Sequence, residues 1–172
     1  MKELILGGVR SGKSRLAEQH ALASKLEVIY IATATVGDAE MQQRIELHRQ
    51  QRPSSWSLIE EPIKLATVLQ QQAREDRCLL LDCLTLWLTN LLLNDDTTAL
   101  MRERDALLEI LSDLPGHIIL VSNETGMGIV PESKLARRFG DEAGHLHQEL
   151  AQRCDRVILT IAGLPQVLKG KI

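Results

Sequence analysis

The sequence has few aromatic residues and no excess of basic charge. It contains two Trp, one Tyr and one Phe in 172 residues, and its formal net charge is −3. Single-stranded nucleic acids are bound largely by aromatic stacking, and duplexes by clustered Lys and Arg side chains. A general nucleic-acid-binding protein is therefore not expected, and an anionic ligand has to be bound by a local motif.

Long apolar segments are also lacking. The longest apolar run, near residues 79–93, is interrupted by Asp82, Thr85, Thr89 and Asn90, so it is shorter than the ~20 apolar residues that span a bilayer. The first residues do not contain the charged, apolar and cleavage regions of a secretory signal peptide in series. We therefore expect no membrane span and a cytoplasmic location.

Paired cysteines are absent as well. Cys78, Cys83 and Cys154 make an odd count without a CxxC pair, which argues against a disulfide framework and a structural zinc site. We expect three buried thiols. A catalytic role for Cys83 would require a histidine held against it in the fold, and the sequence alone does not show such a contact.

The composition, with 44% apolar and 25% charged residues, is that of one globular domain. Short runs rich in Ile, Val and Leu alternate with longer amphipathic stretches, which predicts an α/β fold with a mainly parallel sheet flanked by helices. The predicted strands are residues 3–6, 27–32, 56–59, 78–82, 117–122 and 156–161. The predicted helices are residues 13–23, 38–51, 62–74, 84–93, 98–111 and 133–153, with Pro62 in the first turn of the third.

A glycine loop follows the first predicted strand. Residues 7–14 fit the pattern G-x-x-x-x-G-K-[ST] and comprise Gly7, Gly8, Val9, Arg10, Ser11, Gly12, Lys13 and Ser14. Glycine lets the backbone approach phosphate oxygens closely, and the start of the next helix adds unpaired N–H groups. Lys13 supplies a positive charge and Ser14 a ligand for Mg²⁺. The loop predicts nucleotide binding, but it distinguishes neither ATP from GTP nor hydrolysis from transfer.

An acidic residue ends the fourth predicted strand. Three leucines precede Asp82, and a carboxylate at this position is the second acidic group of such nucleotide sites, where it positions Mg²⁺ or its water. We therefore take Asp82 as a candidate metal ligand. Many strands end in a carboxylate without any such role, so this assignment depends on the glycine loop upstream.

One of the five histidines differs from the others in its setting. Met41, Ile45 and His48 share one face of the second predicted helix by their i, i+4, i+7 spacing. A neutral imidazole is a competent nucleophile toward an activated phosphorus, and its attack on an α-phosphate would give a nucleotidyl-imidazole. A histidine packed within the helix face is the alternative, and spacing alone does not decide between the two.

Several motifs together resemble one family, that of the bifunctional adenosylcobinamide kinase/adenosylcobinamide-phosphate guanylyltransferases of cobalamin biosynthesis. They are GGVRSGKS at 7–14, YIATAT at 30–35, EM, RI and H within 40–48, RP at 52–53, DCLT at 82–85, TNLL at 89–92 and NETGMGIVP at 123–131. Many kinases share a glycine loop, whereas its GGxRS form combined with the histidine helix and the NExGxGIVP loop is specific. The resemblance spans essentially the whole chain.

The resemblance implies a P-loop NTPase-type fold and two reactions. ATP or GTP phosphorylates adenosylcobinamide, and GMP is then transferred from GTP to that phosphate, giving adenosylcobinamide-GDP and pyrophosphate. It also implies a homotrimer, guanylylation of His48, and Mg²⁺ on Ser14 and Asp82. The catalytic candidates are His48 and Lys13, and the further nucleotide contacts implied are Thr33, Ala34, Thr35, Arg49, Gln50, Gln51, Arg52, Glu60 and Asp82.

Two positions depart from the family pattern. Gly140 stands before Asp141 where the family often has Arg, and His147 stands before Gln148 where Asn is usual. His147 is therefore a second histidine to exclude as the guanylylated one. Two rival functions also remain open at this point, a monofunctional P-loop kinase for another small substrate and a non-catalytic nucleotide switch.

Overall fold

The computed structural model describes residues 1–35 and 53–171. Its strands are β1 (Lys2–Gly7), β2 (Glu27–Ala32), β3 (Ser57–Glu60), β4 (Arg77–Asp82), β5 (His117–Asn123), β6 (Arg156–Ile161) and β7 (Leu164–Lys169). Its helices are α1 (Lys13–Ala23), α2 (Leu65–Gln72), α3 (Leu84–Leu92), α4 (Ala99–Ile110) and α5 (Lys134–Arg153). The helix predicted at 38–51 lies outside the described residues.

The strands form one sheet in the order β3-β2-β4-β5-β1-β6-β7. Neighbouring strands are parallel except for β6 and β7, which are antiparallel. Strand β1 lies between β5 and β6, so both edges of its backbone are hydrogen-bonded. The predicted α/β fold, a single domain with a mainly parallel sheet, is confirmed.

The central strands of the sheet are buried on both faces, and alternate residues of these strands enter different core clusters. In β4, Leu79 and Leu81 pack in the cluster that includes apolar residues of α2, α3, α4 and α5. Cys78 and Leu80 pack in the cluster that includes α1. This two-sided burial explains why the strands are almost continuously apolar.

All three cysteines are buried free thiols, as predicted. Burial raises the pKa of Cys78 and Cys83 to about 11 and that of Cys154 to about 12.

One helix begins later than predicted. Helix α2 begins at Leu65, so Pro62 precedes it, and the predicted placement of Pro62 in its first turn is wrong. The Glu61 carboxylate accepts hydrogen bonds from the backbone N–H groups of Ile63 and Lys64 at 2.8 and 2.7 Å. These bonds hold the residues around Pro62 in a bend before the helix. The other predicted elements that the structure describes agree with prediction within one or two residues.

Strand β7 was not predicted from the sequence. It follows β6 through a two-residue turn, in which Ala162 and Gly163 have φ values of 52° and 79°. Positive φ at both positions is typical of the tight turn that suits the twist of a hairpin. Among the described residues, no helix combines the length and apolar character needed to span a membrane.

A buried carboxylate lies at the opposite end of β1 from the glycine loop. Glu3 is fully buried, with His20 Nδ1 2.7 Å from Oε1, His117 Nε2 3.5 Å from Oε2 and Arg156 Nε 3.7 Å from Oε1. Burial alone would raise the pKa of Glu3, but the close contacts with His117 and His20 and the nearby positive charge outweigh it. They hold this pKa at about 2.

Replacing Glu3 should therefore destabilise the fold. In the Glu3→Gln variant we expect the free energy of unfolding at pH 7 to fall by about 3 kcal/mol, because buried basic groups lose their charged partner. The pKa of Glu3 lies below its ordinary value of 4.5, so its contribution is present above pH 4.5 and is lost as the pH falls toward 2. The stability difference between parent and variant should shrink over that interval in urea denaturation curves.

Glu27→Gln provides a matched control. Glu27 begins β2, and its exposed carboxylate pairs with Arg77 at 3.0 Å. Because exposed ion pairs contribute little, this variant should lose less than about 1 kcal/mol. Equal losses in the two variants would contradict a special role for the Glu3 cluster.

Candidate active site

The candidate residues meet at one edge of the sheet. Because β1 to β6 are parallel, their carboxyl ends lie on the same side, which we call the carboxyl edge. Gly7, Ala32, Glu60 and Asp82 are the last residues of their strands, and in the pairing register Ala32 lies opposite both Glu60 and Asp82. Ligands of open α/β sheets bind at such an edge.

The glycine loop connects β1 to α1 at the carboxyl edge. The Ser11 N–H donates to the Gly8 carbonyl at 3.2 Å, and the Leu16 N–H donates to the Gly12 carbonyl at 3.0 Å, which starts the helix. Gly12 has φ 94°, a conformation that side chains with a Cβ rarely adopt. The loop thus turns tightly into the helix, and its N–H groups at the helix start are available to an anion.

Lys13 is the first residue of α1 and is 9% exposed. Its ammonium donates to the Gly8 carbonyl of the same loop at 3.2 Å. Burial lowers the pKa of Lys13, while the charges of Asp82 and Cys83 oppose that change. The ammonium therefore lies over the loop, where a phosphate oxygen can replace the carbonyl as its acceptor.

Ser14 and Asp82 supply the oxygen ligands that Mg²⁺ prefers. Both are half-buried at the carboxyl edge, Ser14 on the first turn of α1 and Asp82 at the end of β4. In the described part of the chain, no three His, Cys, Asp or Glu side chains are grouped to hold a metal ion. A hydroxyl and one carboxylate fit Mg²⁺ in this setting, since the ion takes its other ligands from phosphates and water.

A set of hydrogen bonds joins the segments that follow β2, β3 and β4. The fully buried Thr33 hydroxyl donates to the Cys83 carbonyl at 2.6 Å and accepts from the Cys83 N–H at 3.0 Å. Asn90 Nδ2 donates to the carbonyls of Thr33 and Pro62 at 2.8 and 3.1 Å. Asn90 Oδ1 accepts from the Thr35 hydroxyl at 3.4 Å.

A second network connects α5 to the end of β5. His147 Nε2 lies 2.8 Å from the Ser122 hydroxyl, and Nδ1 lies 3.9 Å from Glu124 Oε2. The Ser122 and Thr85 hydroxyls are 3.3 Å apart, and Thr85 Oγ1 accepts from the Asn123 N–H. Burial lowers the pKa of His147, and the Glu124 carboxylate opposes this change. A proton on Nδ1 would face that carboxylate and leave Nε2 to accept from Ser122.

The hairpin between β6 and β7 contacts the glycine loop. The Gly163 N–H donates to the Ser11 carbonyl at 2.8 Å, and a Cβ on Gly12 would lie 3.1 Å from the Gly163 Cα. The turn therefore packs directly against the glycine loop. It holds the Ser11 carbonyl on the side of the hairpin, which leaves the N–H groups of the loop for the phosphate site.

The structure brings most of the predicted site residues to the carboxyl edge. The glycine loop, Thr33, Ala34, Thr35, Glu60 and Asp82 are all there, with Thr35 and Glu60 exposed. The remaining candidates lie outside the described residues; they are His48, Arg49, Gln50, Gln51 and Arg52.

Sequence reasoning did not assign roles to Thr85, Asn90, Ser122 or Gly163. A signal existed for the first two, because Thr85 and Asn90 interrupt the otherwise leucine-rich helix α3, and a polar residue in such a helix needs a buried partner. Ser122 and Gly163 act through contacts with residues distant in the chain, and their local sequence gives no comparable signal.

The arrangement defines the class of protein. A glycine loop between β1 and α1, with Asp82 at the end of β4 and β5 between the two strands, is the site of a P-loop nucleotide-binding protein. Solved structures share this fold. The ATPase EscN of the enteropathogenic Escherichia coli type III secretion system matches 94% of this chain with a TM-score of 0.56 at 16% identity.

A Pyrococcus horikoshii protein, PH0250, matches 99% of this chain and 87% of its own length, with a TM-score of 0.53 at 10% identity. For EscN the matched part is 43% of that longer chain. At these identities the likenesses show the fold alone, and they confirm the predicted P-loop NTPase type.

The family follows from comparison of sequences. A family profile described as cobinamide kinase/cobinamide phosphate guanyltransferase matches residues 3–168. The bifunctional adenosylcobalamin biosynthesis protein CobP of Pseudomonas aeruginosa is 62% identical over 171 residues, 99% of each chain. CobU of Escherichia coli, with the same description, is 38% identical over 182 aligned positions that cover 98% of this chain and 100% of CobU.

The chain belongs to the cobinamide kinase/cobinamide phosphate guanyltransferase family, as the sequence motifs indicated. The predicted enzyme class, a kinase and nucleotidyltransferase acting in cobalamin biosynthesis, is thereby confirmed.

The contact between Gly163 and the glycine loop can be tested by substitution. Ala at position 163 would have to adopt φ 79°, which costs an L residue about 1 to 2 kcal/mol. We expect Gly163→Ala to lower the free energy of unfolding by about that amount and to weaken nucleotide binding, because strain in the turn shifts the backbone N–H of residue 163 that donates to the Ser11 carbonyl. Urea denaturation and titration with a fluorescent nucleotide measure the two effects.

Gly140→Ala is the matched control. Gly140 lies within α5, and a Cβ there would meet nothing within 4 Å. Since Ala favours helix more than Gly, this variant should gain about 0.5 to 1 kcal/mol and bind nucleotide as the parent does. Parent-like nucleotide affinity in Gly163→Ala would contradict a role of the hairpin in shaping the loop.

Proposed function

We propose that this chain phosphorylates adenosylcobinamide with ATP or GTP and then transfers GMP from GTP to the new phosphate through a guanylyl group on His48. The observation that carries the proposal is the glycine loop, with Lys13 over it, at the same edge as Asp82 in a chain that matches the family over residues 3–168. The GTP-dependent transfer and the kinase step follow from family membership, and the histidine intermediate is what the resemblance of the motif around His48 implies.

In the kinase step, the glycine loop binds the triphosphate through its backbone N–H groups and Lys13 neutralises charge on the transferred phosphoryl group. Lys13 Nζ leaves the Gly8 carbonyl, 3.2 Å away, for a phosphate oxygen. Ser14 and Asp82 would hold Mg²⁺, which supplies charge neutralisation at the phosphates when bound. The acceptor hydroxyl of the corrinoid then displaces the nucleoside diphosphate.

In the guanylyl step, an imidazole nitrogen of His48 attacks the α-phosphorus of GTP, and the bond to the β-phosphate oxygen breaks to release pyrophosphate. A phosphate oxygen of the corrinoid then attacks the same phosphorus, and the imidazole leaves. Each displacement starts from an activated phosphorus, which is the advantage of a covalent intermediate. Arg49 and Arg52 are next to His48 in the sequence and would neutralise phosphate charge.

Two other nucleophiles fit less well. His147 is buried, and its Nε2 is engaged with Ser122 at 2.8 Å. Cys83 is buried, and burial together with the charge of Asp82 raises the pKa of its thiol to about 11, so the reactive thiolate is scarce at neutral pH. Among the candidates considered, these observations favour His48.

The proposal also includes the remaining predicted nucleotide contacts and the predicted location of the protein. Ala34, Thr35 and Glu60 at the carboxyl edge, with Arg49, Gln50, Gln51 and Arg52, would complete the nucleotide site. A cytoplasmic location suits three cysteines that remain free thiols.

Labelling with GTP radioactive in the α-phosphate tests the histidine. With Mg²⁺, the parent should retain acid-labile label after denaturation, and His48→Ala should retain none, because the attacking nitrogen is gone. His145→Ala is the matched control, since this histidine is exposed on α5, and it should label as the parent does.

Each other result has a defined meaning. If the parent binds GTP but acquires no label, the covalent step is wrong, and a simple kinase or a nucleotide switch becomes the better description. If His48→Ala labels as strongly as the parent, the nucleophile is another residue, and His147→Ala is the next variant to label.

We also propose that the protein is a homotrimer. Supporting this, Met127, Ile129 and Val130 in the segment after β5 are 76%, 97% and 74% exposed, and clustered exposed apolar side chains are typical of subunit contacts. Light scattering during size-exclusion chromatography should give three times the 19.2 kDa chain mass. A mass equal to one chain at micromolar concentration would contradict the trimer.

A further inference from the structure

The Thr33 hydroxyl is fully used within the protein. It gives its only hydrogen to the Cys83 carbonyl at 2.6 Å and accepts from the Cys83 N–H at 3.0 Å. Thr33 is 0% exposed. One side chain therefore satisfies both backbone groups of the residue that follows Asp82, and no hydrogen of the hydroxyl remains for a nucleotide.

These two bonds extend the sheet beyond the strand ends. Ala32 and Asp82 are opposite each other in the β2–β4 ladder, and Thr33 and Cys83 are the next residues of their chains. Beyond the strand ends, the Thr33 side chain replaces a backbone group as the hydrogen-bond partner of Cys83. The position of the Asp82 backbone is thus fixed on its exit side as well as within the strand.

Asn90 connects the same place to two further segments. Both bonds of its Nδ2 group go to backbone carbonyls, those of Thr33 and Pro62, and its Oδ1 accepts from the Thr35 hydroxyl. The apolar neighbours of Asn90 in α3, Trp87, Leu88 and Leu91, are buried in the core. The side-chain amide of Asn90, on a well-packed helix, therefore connects the segment after β2 to the segment after β3 through hydrogen bonds.

The segments that these hydrogen bonds join belong to the two proposed reactions, phosphoryl transfer and guanylyl transfer. Asp82 belongs to the phosphoryl-transfer site, and the chain that leaves Thr35 continues into the segment that contains His48. We propose that Thr33 and Asn90, which we call the edge clamp, are positioning residues. Thr33 positions Asp82 through the Cys83 backbone, and Asn90 positions Thr33 and Thr35, from which the chain continues toward His48. This inference rests on the proposed function, and it makes the contribution of the Thr33 hydroxyl to nucleotide binding indirect.

Thr33→Val and Thr33→Ser test the first arm of the edge clamp. Val has nearly the same shape without the hydroxyl, so the Cys83 N–H and carbonyl lose their partner, whereas Ser retains it. With Thr33→Val we expect the Mg²⁺ concentration for half-maximal nucleotide binding to rise about tenfold, a change of the size expected when buried backbone groups lose their hydrogen-bond partner. Nucleotide affinity without Mg²⁺ should stay within about twofold, and Thr33→Ser should restore the Mg²⁺ response.

Fluorescent GTP titrations with and without Mg²⁺ provide this readout independently of turnover. A direct contact between the Thr33 hydroxyl and the nucleotide would instead weaken binding equally in both conditions, and this result would overturn the indirect role. An unchanged Mg²⁺ response in Thr33→Val would overturn it as well.

Asn90→Asp tests the second arm. Asp keeps the shape and the acceptor for Thr35 but lacks the two N–H donors, and its charge faces two carbonyl oxygens. We expect the rate of guanylylation from α-labelled GTP to fall at least about tenfold, the loss expected for unpaired polar groups, while kcat for phosphorylation of the corrinoid changes less than about threefold. Asn90→Ala, which adds no charge, should show the same split if Asn90→Asp is poorly folded by urea denaturation.

Thr89→Val is the matched control, because the Thr89 hydroxyl donates to the Thr85 carbonyl within its own helix and has no other hydrogen bond to the residues that the structure describes. It should retain both activities. Equal losses of both activities in the Asn90 variants would show a general structural role and overturn the proposal, and so would retention of both. If the parent itself acquires no guanylyl label, the proposed function and the Asn90 arm fail together, whereas the Mg²⁺ titrations still decide the Thr33 arm.

Discussion

The position of β1 between two parallel partners is the constraint on which the site depends. Backbone hydrogen bonds from β5 and β6 hold both edges of β1 as far as Gly7. The glycine loop therefore begins from a point that cannot shift relative to the sheet, and a phosphate bound by its N–H groups has a defined place. The N–H of Glu124 donates to the Gly7 carbonyl at 3.0 Å and continues this support one residue beyond the strand.

The two ends of the sheet are stabilised by different means. At the amino end, the basic side chains of His20, His117 and Arg156 surround the buried Glu3 carboxylate. At the carboxyl edge, neutral hydroxyl and amide groups of Thr33, Asn90 and Ser122 provide the links. Neutral links hold the backbone without adding further charge to an edge where Lys13 and Asp82 already supply one charge of each sign.

Much of the fold and part of the site could be predicted from the sequence. Strands buried on both faces are recognisable as continuous apolar runs, and the glycine loop is a motif of consecutive residues. The positions of Lys13 after the loop and of Asp82 at the end of a leucine-rich strand could therefore be predicted. Asn90 stands out as a polar residue in a leucine-rich helix, but its partners could not be predicted, and neither could those of Gly163, because both residues bond to backbone groups of segments distant in the chain. Strand β7 was not predicted because its residues are mostly exposed and do not form the apolar run of a buried strand.

The order of strands in the sheet also affects how the protein is made. The glycine loop is synthesised among the first residues, but β5 and β6, which flank β1, span residues 117–161. Closing such long loops is entropically costly and makes pairing slow. A nascent chain therefore cannot shape its nucleotide loop until nearly all of the domain has left the ribosome, so ligand binding can assist folding only at its last stage.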